Sequence, residues 1–357
     1  MNQLEQFRRT MRRERQERFL YYARFTPPLE ARFRAWLGVD DTEDLGQRFG
    51  MFQPLAVALR PPADWEKPDF GKYFAKIEKK PGAFINHLGV LETPGSLYHF
   101  TSYLSPLREA TTLAEVMDFP YPSVKDFCED HLAAEVEAAH RAGRVTGMYL
   151  THLYEDSWQI RGYTEFLMDM IEAPEICDYV LDRVQERNLA KARAAARAGV
   201  DILYTGDDVA NQRALMFAPE LWRRFIKSRW AEVYAAAKAI HPDIKIWYHS
   251  DGNIADIIPE LIEIGVDILN PLQPECLDLL ELKRRYGDKL VFDGTIGTQT
   301  TMPFTDAAGV REAVRRSRRE LGQDGGLILS PTHVLEPEVP PENIEAFFDA
   351  CREAEPA

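Results

Sequence analysis

Ala198-Gly199-Val200-Asp201-Ile202-Leu203-Tyr204-Thr205 and, further along, Ile264-Gly265-Val266-Asp267-Ile268-Leu269-Asn270 spell the same device twice. In each, a glycine able to take the left-handed cap conformation closes a helical stretch, and a short aliphatic run follows at once. A run this apolar, bounded by helical patterns, predicts a strand buried on both faces, as in a parallel sheet. Working outward, similar strands are predicted at 145–151, 244–249, 290–293 and 327–330. Helices are predicted at 126–142, 175–198, 219–240, 254–264, 277–286, 306–321 and 341–353. Strands alternating with helices imply right-handed crossovers and a parallel sheet. Six such units without a Gly-x-Gly-x-x-Gly turn favour a barrel over a dinucleotide-binding sheet. The expected fold is therefore α/β: a distorted (β/α)8 TIM barrel forming one domain over 1–357. The Pro-punctuated stretch 1–120 is irregular, with short strands or an embedded hairpin in 70–85 and 89–103, and must pack on the barrel and supply its first strands.

Hydrophobic residues make up 45% and charged residues 28% of the 357, the balance of a soluble globular chain. A net charge of −14 argues against a nucleic-acid partner, which would need a compensating basic surface. No apolar run approaches the ~20 residues of a membrane span. Four cysteines without a Cys-x-x-Cys pair fit a reducing, cytoplasmic setting. Seven arginines fall in the first 24 residues, but Glu5, Glu14 and Glu17 interrupt them and no apolar segment of a secretory signal follows. Leu4, Phe7, Met11 and the 19–22 cluster instead predict an amphipathic helix packed on the body, with its arginines mostly solvated.

In a (β/α)8 barrel the strand C-termini gather on one face, so residues distant in sequence share a site. Two predicted strands end abruptly in metal-binding groups: Trp247-Tyr248-His249-Ser250-Asp251-Gly252-Asn253 and Leu329-Ser330-Pro331-Thr332-His333. His249, Asp251 and His333 would give two imidazoles and a carboxylate, a set that suits zinc or a similar divalent ion with an open position. The same mouth would collect Asp207 and Asp208, whose adjacent carboxylates repel and suit acid–base work. Asp293 joins them as a third catalytic candidate. His152, Glu155, Asn270 and Gln273 are candidates for substrate binding, the first two flanking a loop with Tyr154 and Trp158. Each of these could instead be a polar residue capping a strand or loop. His87, His99, His131, His140 and His241 have no such context.

The 244–294 stretch and the tail Gly-Gly-Leu-Ile-Leu-Ser-Pro-Thr-His-Val-Leu-Glu-Pro resemble the uroporphyrinogen decarboxylase superfamily. The resemblance spans roughly 125–355 and implies a (β/α)8 barrel. The superfamily includes corrinoid-dependent methyltransferases that pass methyl groups to coenzyme M. In that branch a His-x-Cys and a later Cys hold zinc; the matching positions here read His249-Ser250-Asp251 and Pro331-Thr332-His333. Carboxylate and imidazole in place of two thiolates leave a harder, more Lewis-acidic ion. In the decarboxylase branch the late turn carries a His, which His333 matches. The Arg-Gln-Ala-Gly-Arg segment that grips substrate carboxylates there is missing from this sequence.

The resemblance thus implies a metal-dependent methyltransferase-like enzyme, with zinc as the first expected ion. A methyl group would move between a corrinoid, carried on a partner protein, or another methyl carrier and a small-molecule acceptor. The alternatives are a carboxy-lyase on a tetrapyrrole-like or small polycarboxylate substrate, with Asp207, Asp208 and His333 as proton donors, and a non-catalytic ligand-binding barrel. A homodimer is expected from the resemblance alone.

Overall fold

A computed structural model describes residues 1–95 and 101–353. Part of the expected hairpin region, 96–100 with His99, lies outside the described residues. So does the end of the expected domain, 354–357.

The strands in chain order are β1 (Leu20–Tyr21), β2 (Leu55–Ala56), β3 (Phe84–Ile85), β4 (Leu91–Pro94), β5 (Thr101–Leu104), β6 (Thr146–Tyr149), β7 (Ile202–Gly206), β8 (Lys245–His249), β9 (Ile268–Asn270), β10 (Val291–Asp293) and β11 (Leu327–Leu329). Eight form one parallel sheet in the order β1-β11-β10-β9-β8-β7-β6-β2. No ladder joins β1 to β2 among the described residues; the Phe52 amide donates to the Tyr21 carbonyl at 2.7 Å and spans the seam. The result is the distorted (β/α)8 barrel that the alternation predicts. β3, β4 and β5 form a separate antiparallel sheet inserted after β2.

Alternation along the strands sorts two packed layers. Leu20, Val145, Ile202, Ile268, Val291 and Ile328 point into the barrel, with Tyr204 and Trp247 above them. Leu203, Ile246, Tyr248, Leu269 and Phe292 point outward beneath the helices. The helix Gln3–Met11 plugs the N-terminal end of the barrel by burying Leu4 and Phe7 in the interior cluster. The 19–22 cluster is not part of that helix: Leu20 and Tyr21 form β1, because an edge of β11 is there to be paired.

The repeated Gly-Val-Asp turns act through their carboxylates. Gly199 (φ +78°) and Gly265 (φ +102°) reverse the chain as expected. Asp201 then accepts the Thr146 amide at 2.7 Å, the Thr146 hydroxyl at 2.8 Å and His140 Nε2 at 2.9 Å. Asp267 accepts the Ile246 amide at 2.8 Å and Lys238 Nζ at 2.9 Å. Each Asp therefore ties the start of its own strand to the start of the preceding one and fixes the register.

Several helices depart from expectation. The helix predicted at 126–142 begins only at Leu132, because Cys128 exchanges two backbone hydrogen bonds with Arg60 and is drawn away. The helix predicted at 219–240 is interrupted by a π-turn, Arg223–Lys227. The expected loop around His152 and Glu155 is a helix, Leu153–Arg161, followed directly by Tyr163–Glu172. Its aromatic residues hide a buried face of Leu153, Tyr154, Ser157 and Ile160.

Candidate functional site

The C-terminal face of the barrel opens into a cavity of about 560 Å³. Its walls are largely aromatic, with Tyr22, Tyr103, Tyr149, Trp158, Tyr204 and Trp247, and one side carries His152, Glu155, Asp208, His249 and His333.

His249, at the end of β8, stacks on Trp247 with 5.8 Å between ring centroids. Its Nδ1 lies 2.8 Å from Asn270 Oδ1. An amide oxygen only accepts, so Nδ1 carries the proton and Nε2 presents its lone pair to the mouth. Facing it are Asp208 Oδ1 at 3.7 Å and Asp251 Oδ1 at 3.9 Å. The His333 ring centroid is 6.3 Å from that of His249. One ligating atom from each of His249, Asp251 and His333 falls within 4.8 Å of the others.

The turn that presents Asp251 is held from three sides. Its amide donates to Asp208 Oδ1 at 2.8 Å, and the Gly252 amide donates to Gln273 Oε1 at 2.6 Å. Gly252 (φ +86°) approaches the 210–211 backbone so closely that a Cβ would lie 2.6 Å from the Asn211 carbonyl. Asp251 Oδ1 is sealed from water and has no hydrogen-bond partner among the described residues. An orphaned carboxylate oxygen beside two imidazoles is the donor set a zinc-like ion requires, so these residues fit a metal. Burial, with repulsion from Asp208 added, raises the Asp251 pKa to about 6 against the pull of His249. Burial pulls the His249 pKa down, but Asp208 and Asp251 together outweigh it and leave it raised. His333 is lowered by burial and by the neighbouring His249.

Asp207 is fully buried behind this surface. Its two oxygens accept the Tyr154 amide at 2.7 Å and Trp230 Nε1 at 2.6 Å. Burial and the adjacent Glu155 push its pKa well above the ordinary carboxylate value. Gly206 makes this possible: a Cβ there would sit 2.2 Å from the His249 carbonyl, and the Asp207 amide donates to that same carbonyl at 2.9 Å. Glu155 Oε1 accepts the Asp208 amide at 2.5 Å and lies 3.5 Å from His152 Nδ1. Burial raises Glu155 as well.

The structure thus brings together His152, Glu155, Asp207, Asp208, His249, Asp251 and His333. The other three candidates contact the surrounding protein rather than the centre of this group. Asp293 is buried below the cavity, accepting from Tyr22, Trp247 Nε1 and the Ser330 hydroxyl. Asn270 orients His249 from the rim of the cavity, and Gln273 anchors the Asp251 turn. Sequence reasoning missed Arg24, which it grouped with the solvated arginines. Arg24 lies three residues past β1 in the cavity wall, its Nη2 3.2 Å from the Tyr149 hydroxyl. Only recognising Leu20–Tyr21 as a strand would have revealed it.

A parallel barrel with a polar, histidine-bearing mouth at its strand C-termini is a fold of the TIM-barrel class. The chain belongs to the uroporphyrinogen decarboxylase (URO-D) family, whose model matches residues 151–354. It is 23% identical over 193 residues to a uroporphyrinogen decarboxylase of Trichodesmium erythraeum (strain IMS101), covering 54% of this chain and 52% of that one. A uroporphyrinogen decarboxylase of Nostoc punctiforme (strain ATCC 29133 / PCC 73102) is 23% identical over 180 residues, 50% and 48% of the two chains. The chain is therefore aligned with about half the length of these curated relatives. A solved methyltransferase from Methanosarcina mazei superposes with a TM-score of 0.66 over 98% of both chains, at 14% identity. At that identity the likeness speaks for the fold. The curated relatives are named as decarboxylases and the superposed structure as a methyltransferase. No helix among the described residues is long and apolar enough to cross a membrane.

Proposed function

We propose that the protein is a metal-dependent methyltransferase, moving a methyl group between a corrinoid or other methyl carrier and a small-molecule acceptor. The observation that carries this reading is the convergence of His249, Asp251 and His333, with their ligating atoms within 4.8 Å and Asp251 Oδ1 otherwise unpaired. Bound there, a zinc-like ion would act as a Lewis acid on an acceptor heteroatom. The chain's own residues do the rest. Asn270 holds the His249 ring so that Nε2 faces the site, and Asp208 with Gln273 holds the Asp251 turn. The aromatic walls take a planar or apolar acceptor and limit water. Arg24 offers a cation to an anionic group on the side of the cavity where Tyr149 stands.

The test is elemental analysis of gently purified protein together with loss of the cobalt–carbon absorbance of methylcobalamin when thiol or phenolate acceptors are added. Metal at one or more per chain, and demethylation lost in His249→Ala, support the reading. Metal-free protein that stays inactive after zinc is supplied overturns it. A carboxy-lyase reading is favoured by one observation, the cationic Arg24 beside His333 in a cavity backed by Asp207, whose pKa burial and Glu155 raise. Carbon dioxide release from a polycarboxylate, unaffected by chelator, would select it. We propose a homodimer on the superfamily resemblance alone; a monomer by light scattering at micromolar concentration would remove that statement.

A further inference from the structure

Beside the first cluster stands a second. His152, Glu155 and Asp207 also place one ligating atom each within 4.8 Å of the others. Ligands at ~2.1 Å from one tetrahedral ion lie ~3.4 Å apart, so side-chain shifts of about 1 Å would close the set. Three elements of the fold deliver it: the N-cap of the helix Leu153–Arg161, its first turn, and the residue after β7. His152 Nδ1 is shut off from water with no hydrogen-bond partner among the described residues, and the Glu155 and Asp207 carboxyl groups hydrogen-bond each other. Asp207 already accepts one N–H on each oxygen, and an ion would replace its hydrogen bond with Glu155.

Charge points the same way. Glu155, Asp207, Asp208 and Asp251 crowd one wall of the mouth, and no Lys or Arg ion pair reaches any of them among the described residues. Asp208 stands between the clusters. Its amide donates to Glu155 Oε1, while its carboxylate accepts the Asp251 amide and faces His249 Nε2.

We propose that the mouth holds two divalent ions, one on His249, Asp251 and His333 and a second on His152, Glu155 and Asp207, with Asp208 between them. The proposal builds on the metal reading of the first cluster. With two oxygens and one nitrogen the second site is the harder of the two and suits zinc, manganese or ferrous ion. A pair of ions side by side favours a substrate that offers oxygen to both, a carboxylate or an alkoxide, over a lone thiol.

The experiment is stoichiometry. The full chain, stripped with chelator and dialysed against zinc, is expected to retain two ions. Glu155→Gln and His152→Asn are each expected to retain one, as is His249→Gln. His152 is partly exposed, so His152→Asn keeps the test open should the buried Glu155→Gln fail to fold. A wild-type chain with one ion, or retention of two by both Glu155→Gln and His152→Asn, overturns the second site and leaves the first standing. A wild-type chain with none overturns both.

Discussion

His249 Nδ1 sits 2.8 Å from Asn270 Oδ1, so the last residue of β9 sets which nitrogen of the last residue of β8 faces the cavity. The β8–β9 register places the two side by side, and the Asn270 amide nitrogen turns the other way, toward the Tyr22 hydroxyl. Partners of this kind hold a metal-binding imidazole in one tautomer and orientation. Asn270→Ala is expected to weaken zinc binding by about 10–100-fold while leaving the barrel folded. Competition with a chromophoric chelator measures it; an unchanged affinity would mean that His249 is not a ligand.

Asp201 accepts three hydrogen bonds at the seam between β6 and β7. Asp201→Ala leaves the Thr146 amide without its acceptor in a buried position. A loss of about 2–3 kcal/mol is expected, the range for a charge-assisted hydrogen bond with an orphaned donor. Asp267→Ala, which strands the Ile246 amide and Lys238, should behave in the same direction. Urea unfolding reads both, and a change within the scatter of surface substitutions would show that the register is held elsewhere.

Much of this architecture is legible in the sequence, and the reason is physical. β6 to β11 are buried on both faces, so they read as aliphatic runs between helical patterns, and their polar terminal residues stand out. His249, Asp251 and His333 were visible for that reason. β1 and β2 contribute only two residues each to the ladder, too few for any periodicity, and so Arg24 just past β1 was hidden. The roles of Asn270, Gln273 and Asp293 were blurred differently. A residue type at a strand end announces a polar contact, but whether it touches a ligand or another side chain depends on register and turn geometry. His152 and Glu155 were found by type, although the helix carrying them was not.

Arg24 is the cation in the cavity wall, and Tyr149 holds its guanidinium. Arg24→Gln keeps the polarity and length and removes the charge. For an anionic substrate the KM is expected to rise about 10-fold or more, one lost charge-assisted contact, with kcat changing less. A neutral substrate analogue should be turned over equally well by both proteins. Equal loss on charged and neutral substrates would place Arg24 in a structural role.

Lys191, on the long helix Pro174–Ala198, donates to the Tyr149 carbonyl beside the buried Arg187. Desolvation, with Arg187 repulsion added, lowers its pKa to about 8. The unfolded chain then holds the proton up to ~10.4 while the folded chain releases it near 8. Between those values the unfolded state binds more protons, so stability rises with pH, and below about 8 the full penalty of burying the charge is present. Lys191→Met removes that penalty. The variant is expected to be more stable than the wild type at pH 7 by about 1–2 kcal/mol, discounted for the partial exposure of the side chain. The gap should narrow steadily from pH 8 and close near pH 10.5, where wild-type Lys191 is neutral in both states. Paired urea titrations across that range measure the difference and cancel the other groups that titrate in it. A gap independent of pH would assign the effect to packing of the methionine, and a less stable variant at pH 7 would mean that the Lys191 charge has a partner strong enough to hold its pKa near the ordinary lysine value.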